Sequence, residues 1–173
     1  MINRFNIKKY TIGHPFGEDM KNNIISVKKM VKDFLSIASR DLDKTEHVVL
    51  ICMGSSGAIV STIFYNALQK KYDNLRINIC HVKKENEEAH GERVSGFYTK
   101  GKTLYIWVDD FIESGETIDM CIGVIREFIT KKGITFSKGL FKFDYVVCST
   151  IDATKCKIKD IEKTTNNIVY NYL

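Results

Sequence analysis

Between residues 19 and 39, Met20, Ile24, Val27, Val31, Phe34 and Ala38 recur every three or four positions with lysines between them, which predicts an amphipathic helix. The period then changes. Residues 47–53, HVVLICM, form an unbroken apolar run of strand length, as expected of a strand covered on both faces. After GSSG, a second helical pattern carries Ala58, Ile59, Ile63, Phe64, Ala67 and Leu68. Further strands are expected at 75–82 (LRINICHV), 103–108 (TLYIWV) and 143–149 (FDYVVCS). A helix at about 115–132 presents Ile118, Cys121, Ile122, Ile125, Phe128 and Ile129 on one side, and the tail NIVYNYL is expected to add an edge strand. Strands alternating with helices, with one proline in the chain, predict an α/β fold: a mainly parallel sheet flanked by helices on both faces, in one domain spanning 1–173. Ligands bind such sheets beyond the carboxyl ends of the strands, and the loops 53–57 and 109–117 both leave ends of that kind.

Composition narrows the partners. At 173 residues and 44% hydrophobic, the chain is long enough for one real core. Its 26 basic and 21 acidic residues leave +5, with the basic residues in scattered pairs such as Lys28/Lys29, Lys70/Lys71 and Lys131/Lys132. That is a mild preference for anions rather than the dense stripe of a dedicated nucleic-acid binder, so no DNA partner is expected, and small phosphorylated ligands suit it as well as RNA would. The five cysteines include no CxxC pair, and three lie in strand-like runs, as expected of core residues in a reducing cytoplasm. With no signal-peptide pattern and no apolar run of spanning length, a cytoplasmic protein without a membrane partner is expected.

The chemistry concentrates in residues 105–117, YIWVDDFIESGET. Ser114, Gly115 and Thr117 leave a strand and open a helix, where backbone N–H groups, hydroxyls and the helix dipole suit a phosphate monoester. The alternative is that Ser114 or Thr117 only caps the helix. Asp109 and Asp110 add two adjacent carboxylates at the strand's exit, where polyol hydroxyls or a magnesium ion would give them partners; a solvated acid pair is the alternative.

Four hydrophobic residues, two acids, two hydrophobic residues and a Ser/Thr-Gly-x-Thr loop together resemble the phosphoribosyl pyrophosphate (PRPP) motif of the type I phosphoribosyltransferases. The resemblance implies that Asp109 and Asp110 hold the ribose 2- and 3-hydroxyls and, through PRPP, Mg²⁺. Glu113, Ser114, Gly115, Glu116 and Thr117 would cradle the 5-phosphate. Trp107 and Phe111 are bulkier than usual, and Glu113 replaces the commoner Thr, Ala or Asp. The segment CMGSSGA (52–58) resembles the family's pyrophosphate loop, which gives Met53, Gly54, Ser55 and Ser56 that role, with Met53 where many members carry Lys or Arg. Ser55 or Ser56 as a helix N-cap is an equally compatible reading.

Residues 83–96, KKENEEAHGERVSG, lie in an aperiodic stretch (83–102) long enough to be functional or disordered. It resembles the mobile catalytic loop of orotate phosphoribosyltransferases, without their additional internal basic residue. On that resemblance Lys83, Lys84 and His90 close over the pyrophosphate. Glu113 stands where 6-oxopurine enzymes carry an Asp serving the purine, and either plays that part through one more methylene or only makes backbone-loop contacts; Lys142 resembles their Lys near the base's exocyclic oxygen. The base-covering hood would fall in residues 1–18. The resemblance thus implies Mg²⁺-dependent transfer of a phosphoribosyl group from PRPP to a nucleobase nitrogen with release of pyrophosphate, with orotate-type and 6-oxopurine-type acceptors both open. Homodimers are common in the family. A non-catalytic regulator that binds PRPP or nucleotides with the same fold is the alternative, and an α/β phosphate-binding protein of other function is a third.

Overall fold

Every residue from His47 to Met53 is buried, because this strand lies inside a sheet covered by helices on both faces. In a computed structural model of the chain, the structure describes residues 2–6, 20–85, 87, 92–136, 139–152 and 154–170, the side chains of Asn6 and residues 20–23 excepted. The elements run β1 (Asn3–Asn6), α1 (Met20–Ile37), α2 (Ser39–Leu42), β2 (His47–Met53), α3 (Gly54–Lys71), β3 (Arg76–Val82), β4 (Val94–Ser95), β5 (Thr103–Ile112), α4 (Glu116–Lys131), β6 (Phe143–Ile151), α5 (Ile158–Ile161) and β7 (Thr165–Tyr170). They build one seven-stranded sheet in the order β1-β7-β6-β5-β2-β3-β4, parallel except for the β3–β4 pair.

Alternation along the strands sorts the core into two layers. Val48, Leu50 and Cys52 of β2, with Leu104, Ile106 and Val108 of β5, pack against Val31 and Phe34 of α1 and Val60, Phe64 and Leu68 of α3. Val49, Ile51 and Met53, with Tyr105 and Trp107, pack on the other face against Ile118, Cys121, Ile122 and Ile125 of α4. All five cysteines are free and buried, as core residues. No helix of the described residues is long and apolar enough to cross a membrane.

The path of the chain creates a crevice. From β2 it crosses by α3 to β3 on one side, whereas from β5 it crosses by α4 to β6 on the other. Crossovers of one hand that step in opposite directions put their helices on opposite faces. Between the carboxyl ends of β2 and β5, therefore, no crossover among the described residues bridges the sheet, and this reversal point is where ligands of open α/β sheets bind.

Several elements differ from expectation. β5 does not end at Val108 but continues to Ile112, so both aspartates are strand residues. The tail strand β7 is not an edge, because β1 pairs with it in parallel from the far side. Residues 3–6 of the segment expected as a hood thus belong to the sheet, and residues 7–18 lie outside the described residues. The long stretch 83–102 contains β4, which pairs Val94 with Val82 and Ser95 with His81.

Candidate functional site

Asp109 and Asp110 occupy the carboxyl-terminal part of β5 and are each only 7% exposed. Their local hydrogen bonds are short-range: the Asp110 N–H donates to Oδ1 of Asp109, and the Phe111 N–H to Oδ1 of Asp110, both at 2.9 Å. The Ser149 hydroxyl on β6 donates to the Asp110 carbonyl and ties the acids to the neighbouring strand. Burial raises the Asp109 carboxyl well above the ordinary carboxylate range, and the adjacent Asp110 carboxyl raises it further; the Asp110 amide and the Lys84 charge pull it back. Two buried acids this close are short of positive charge and of hydroxyl donors, so a ligand bringing either is favoured.

The loop after β5 turns sharply. Gly115 adopts φ +86°, and a Cβ there would also sit 3.2 Å from the Cys156 sulfur, so both backbone and space call for glycine. The Ser114 hydroxyl accepts from the Glu116 N–H at 3.3 Å, a partial realisation of the capping alternative. Gly115 itself has no capping side chain, so the first-turn N–H groups of α4 receive no cap from it. Glu113, at the start of this loop, forms an ion pair with Lys155 from the segment after β6, both side chains being more than half exposed.

The loop after β2 is shorter than expected. Met53 is extended and buried, and α3 begins directly at Gly54, whose φ is +76°. The N-cap position falls to Met53, so Ser55 and Ser56 stand inside the first turn rather than at the cap. At Gly57 a Cβ would come 3.0 Å from the Cβ of Cys52 and 3.3 Å from the carbonyl oxygen of Val108, which is how α3 presses its amino end against the exits of both strands. Lys84 reaches over this turn: its Cε and Nζ lie 3.7 and 4.0 Å from where a Cβ on Gly54 would be. Backbone bonds hold the lysine's segment, with the Lys83 N–H donating to Arg93 O at 2.9 Å and the Lys84 N–H to the Glu87 carboxylate at 3.2 Å.

The fold has counterparts among solved structures. Orotate phosphoribosyltransferase from Aeropyrum pernix superposes with a TM-score of 0.55 at 15% identity, over 87% of this chain and 77% of that one. The orotate phosphoribosyltransferase of Francisella tularensis gives 0.51 at 16% identity, over 85% of this chain and 65% of that one. A point mutant of Trypanosoma cruzi hypoxanthine phosphoribosyltransferase, complexed with the product IMP, gives 0.52 at 12% identity, over 86% of this chain and 76% of that one. The chain has the type I phosphoribosyltransferase fold. No family model matches the sequence, and no curated protein sequence matches it.

Within this phosphoribosyltransferase fold, the structure brings together most of the residues singled out in the sequence. Asp109, Asp110, residues 113–117, Met53, Gly54, Ser55, Ser56, Lys83 and Lys84 all belong to the segments at the carboxyl ends of β2, β3 and β5. Lys142 does not join them. It precedes β6, six residues before Cys148, the partner of Asp109, so it stands at the opposite end of the sheet, roughly 20 Å away at strand rise. His90 lies outside the described residues. Lys155 was not singled out in the sequence, although its place just beyond the carboxyl end of a parallel strand was a usable signal.

A magnesium ion fits the acids in one manner only. Among the described residues no group of three or more His, Cys, Asp or Glu side chains could hold a metal by themselves. Asp109 and Asp110 supply two carboxylates, which matches the usual Mg²⁺ arrangement of one or two protein carboxylates completed by water and substrate oxygens.

Proposed function

We propose that the chain transfers the phosphoribosyl group of PRPP to a ring nitrogen of a nucleobase and releases pyrophosphate. The observation that carries this reading is the buried, electrostatically frustrated pair Asp109/Asp110, set at the reversal point of the sheet between two glycine turns that each open a helix. Ribose is the ligand fragment that relieves the pair, since vicinal hydroxyls donate to both carboxylates. The 113–117 turn takes the 5-phosphate on backbone N–H groups and hydroxyls, and the Gly54–Ser56 turn takes the pyrophosphate.

Lys84 supplies the charge that Met53 cannot. Its ammonium stands over Gly54 and acts on Asp109, so it is placed to stabilise pyrophosphate as the bond from C1 of the ribose to oxygen breaks and that from C1 to nitrogen forms. Asp109 and Asp110 would hold Mg²⁺, which would supply charge neutralisation of the diphosphate. On the acceptor side, Lys155 held by Glu113 takes the place that the resemblance gave to Lys142, and Phe111, 40% exposed next to the acids, offers an apolar ring to a planar base. Glu113, as an ion-paired carboxylate, can receive the proton shed by the base nitrogen.

The test is pyrophosphate release from PRPP and Mg²⁺ with orotate, uracil, adenine, hypoxanthine, guanine, xanthine and nicotinate in turn. Release with one of them supports the proposal and names the acceptor. Binding of PRPP with no release for any base points to the regulator with the same fold, and absence of both refutes the site.

A further inference from the structure

On the transferase reading, on which this inference rests, the base enters on the side of β5 away from the pyrophosphate turn. The nitrogen that attacks C1 of the ribose approaches opposite the departing diphosphate, so that the forming and breaking bonds stay in line. In the sheet, β2 and β6 flank β5 on opposite sides, and the turn that takes the pyrophosphate on that reading follows β2. The base therefore falls on the β6 side, where Thr150 pairs with Phe111 and Ile151 with Ile112.

The chain leaving β6 at this point is organised by Asp152. Its N–H donates to the Ile112 carbonyl at 2.9 Å, which sets it beside the start of the 113–117 turn. Its own carbonyl accepts from the N–H groups of Lys155 and Cys156 at 3.2 and 2.8 Å. Oδ1 accepts from the hydroxyl and the N–H of Thr154 at 2.6 and 2.9 Å. Those two bonds, helped by the Lys155 charge, hold the carboxyl below the ordinary carboxylate range, so it is ionised at neutral pH. The turn uses Oδ1 alone. The side chain is partly exposed, and among the described residues Oδ2 has no hydrogen-bond partner. An asparagine would make the same turn, so the turn does not account for the carboxylate.

Charge at this corner is unbalanced. Lys155 is ion-paired with Glu113 and also feels Asp152, one ammonium against two carboxylates, while Asp109 and Asp110 add two more acids on β5. A base that brings its own carboxylate, such as orotate or nicotinate, is repelled here. One that brings N–H donors is favoured, because an ionised acceptor makes the stronger hydrogen bond.

We propose that Asp152 determines acceptor specificity, and that the acceptor is a neutral base with an exocyclic amino group. The amino group donates to Oδ2, while Lys155 donates to a ring nitrogen or carbonyl oxygen of the same base.

The test is pyrophosphate release from PRPP and Mg²⁺ by the wild type and by Asp152→Asn, with guanine, adenine and cytosine set against hypoxanthine, uracil, orotate and nicotinate. The wild type should favour an amino-bearing base about tenfold or more in kcat/KM over its counterpart without the group, hypoxanthine for a purine and uracil for cytosine. Asp152→Asn keeps Oδ1 for Thr154 but puts an N–H donor in place of Oδ2. It should raise KM for the amino-bearing base about tenfold or more, with KM for PRPP, KM for the counterpart and Tm unchanged. A purely structural role would move both bases alike and lower Tm. That result, an unchanged KM for the amino-bearing base, or a wild type that prefers orotate, nicotinate, hypoxanthine or uracil overturns the specificity and leaves the transferase reading standing. Absence of release with every base overturns both.

Discussion

The ammonium of Lys84 stands 4.0 Å from the position a Cβ on Gly54 would occupy, so the start of the long 83–102 segment is laid across the turn that opens α3. Because the same charge also acts on Asp109, one side chain couples the turn after β2 to the acids of β5. Lys84→Ala is expected to lower kcat about a hundredfold, as loss of a preorganised charge on the leaving group does, while PRPP affinity falls much less. Steady-state kinetics with whichever base supports pyrophosphate release measures the split, and equal losses in both constants would reassign Lys84 to ground-state binding.

The acid pair stores instability in the free protein. Asp109 binds its proton more tightly folded than unfolded, so between the ordinary carboxylate range and the raised folded value the native state holds more protons than the unfolded state. Stability contributed by this group is therefore present at low pH and lost as pH rises through the folded value. Thermal melting of the free protein between pH 5 and 9 should show this decline, and Asp109→Asn with Asp110→Asn should flatten it and raise Tm on the alkaline side. A variant that melts lower than the parent at pH 8 would contradict the frustrated pair.

Glu113 and Lys155 form an ion pair across two loops, and both are exposed. Its contribution to stability is small, as for most surface pairs, so substitutions report on function. Lys155→Met is expected to raise KM for the base about tenfold with KM for PRPP unchanged, since a single charge-assisted contact is removed. An unchanged KM for the base would place Lys155 outside acceptor recognition.

Gly96 permits a close approach that no other residue allows. Its φ is +81°, and an added Cβ would fall 2.2 Å from the Ile79 carbonyl oxygen of β3. Gly96→Ala should therefore destabilise the fold by about 2 kcal/mol or more, combining left-handed strain with displacement of backbone. Denaturant titration tests it, and a midpoint within error of the parent would mean that the 94–96 segment is free to move away.

Much of this was legible in the sequence, for physical reasons that differ by element. β2 was correct to the residue because a strand covered on both faces needs seven consecutive apolar side chains. The placing of the acids at the end of β5 and of the Ser-Gly-x-Thr turn at the start of α4 was legible because that pattern is local. β1 was not, since NRFN is a polar edge strand with no alternating apolar face, and missing it made β7 look like an edge. Lys142 misled because a short match to a strand's start does not say which end of the sheet the site uses. The Glu113–Lys155 pair and the Lys84–Gly54 approach join segments 42 and 30 residues apart, and only the fold brings them together.

The most direct test of the central claim is calorimetric titration of PRPP with Mg²⁺ into the wild-type chain and into Asp109→Asn/Asp110→Asn. The account predicts saturable binding to the wild type and a loss of about a hundredfold or more in the folded double variant, since two charged hydrogen-bond acceptors for the ribose are removed. No binding to the wild type, or equal affinity in the variant, would contradict it.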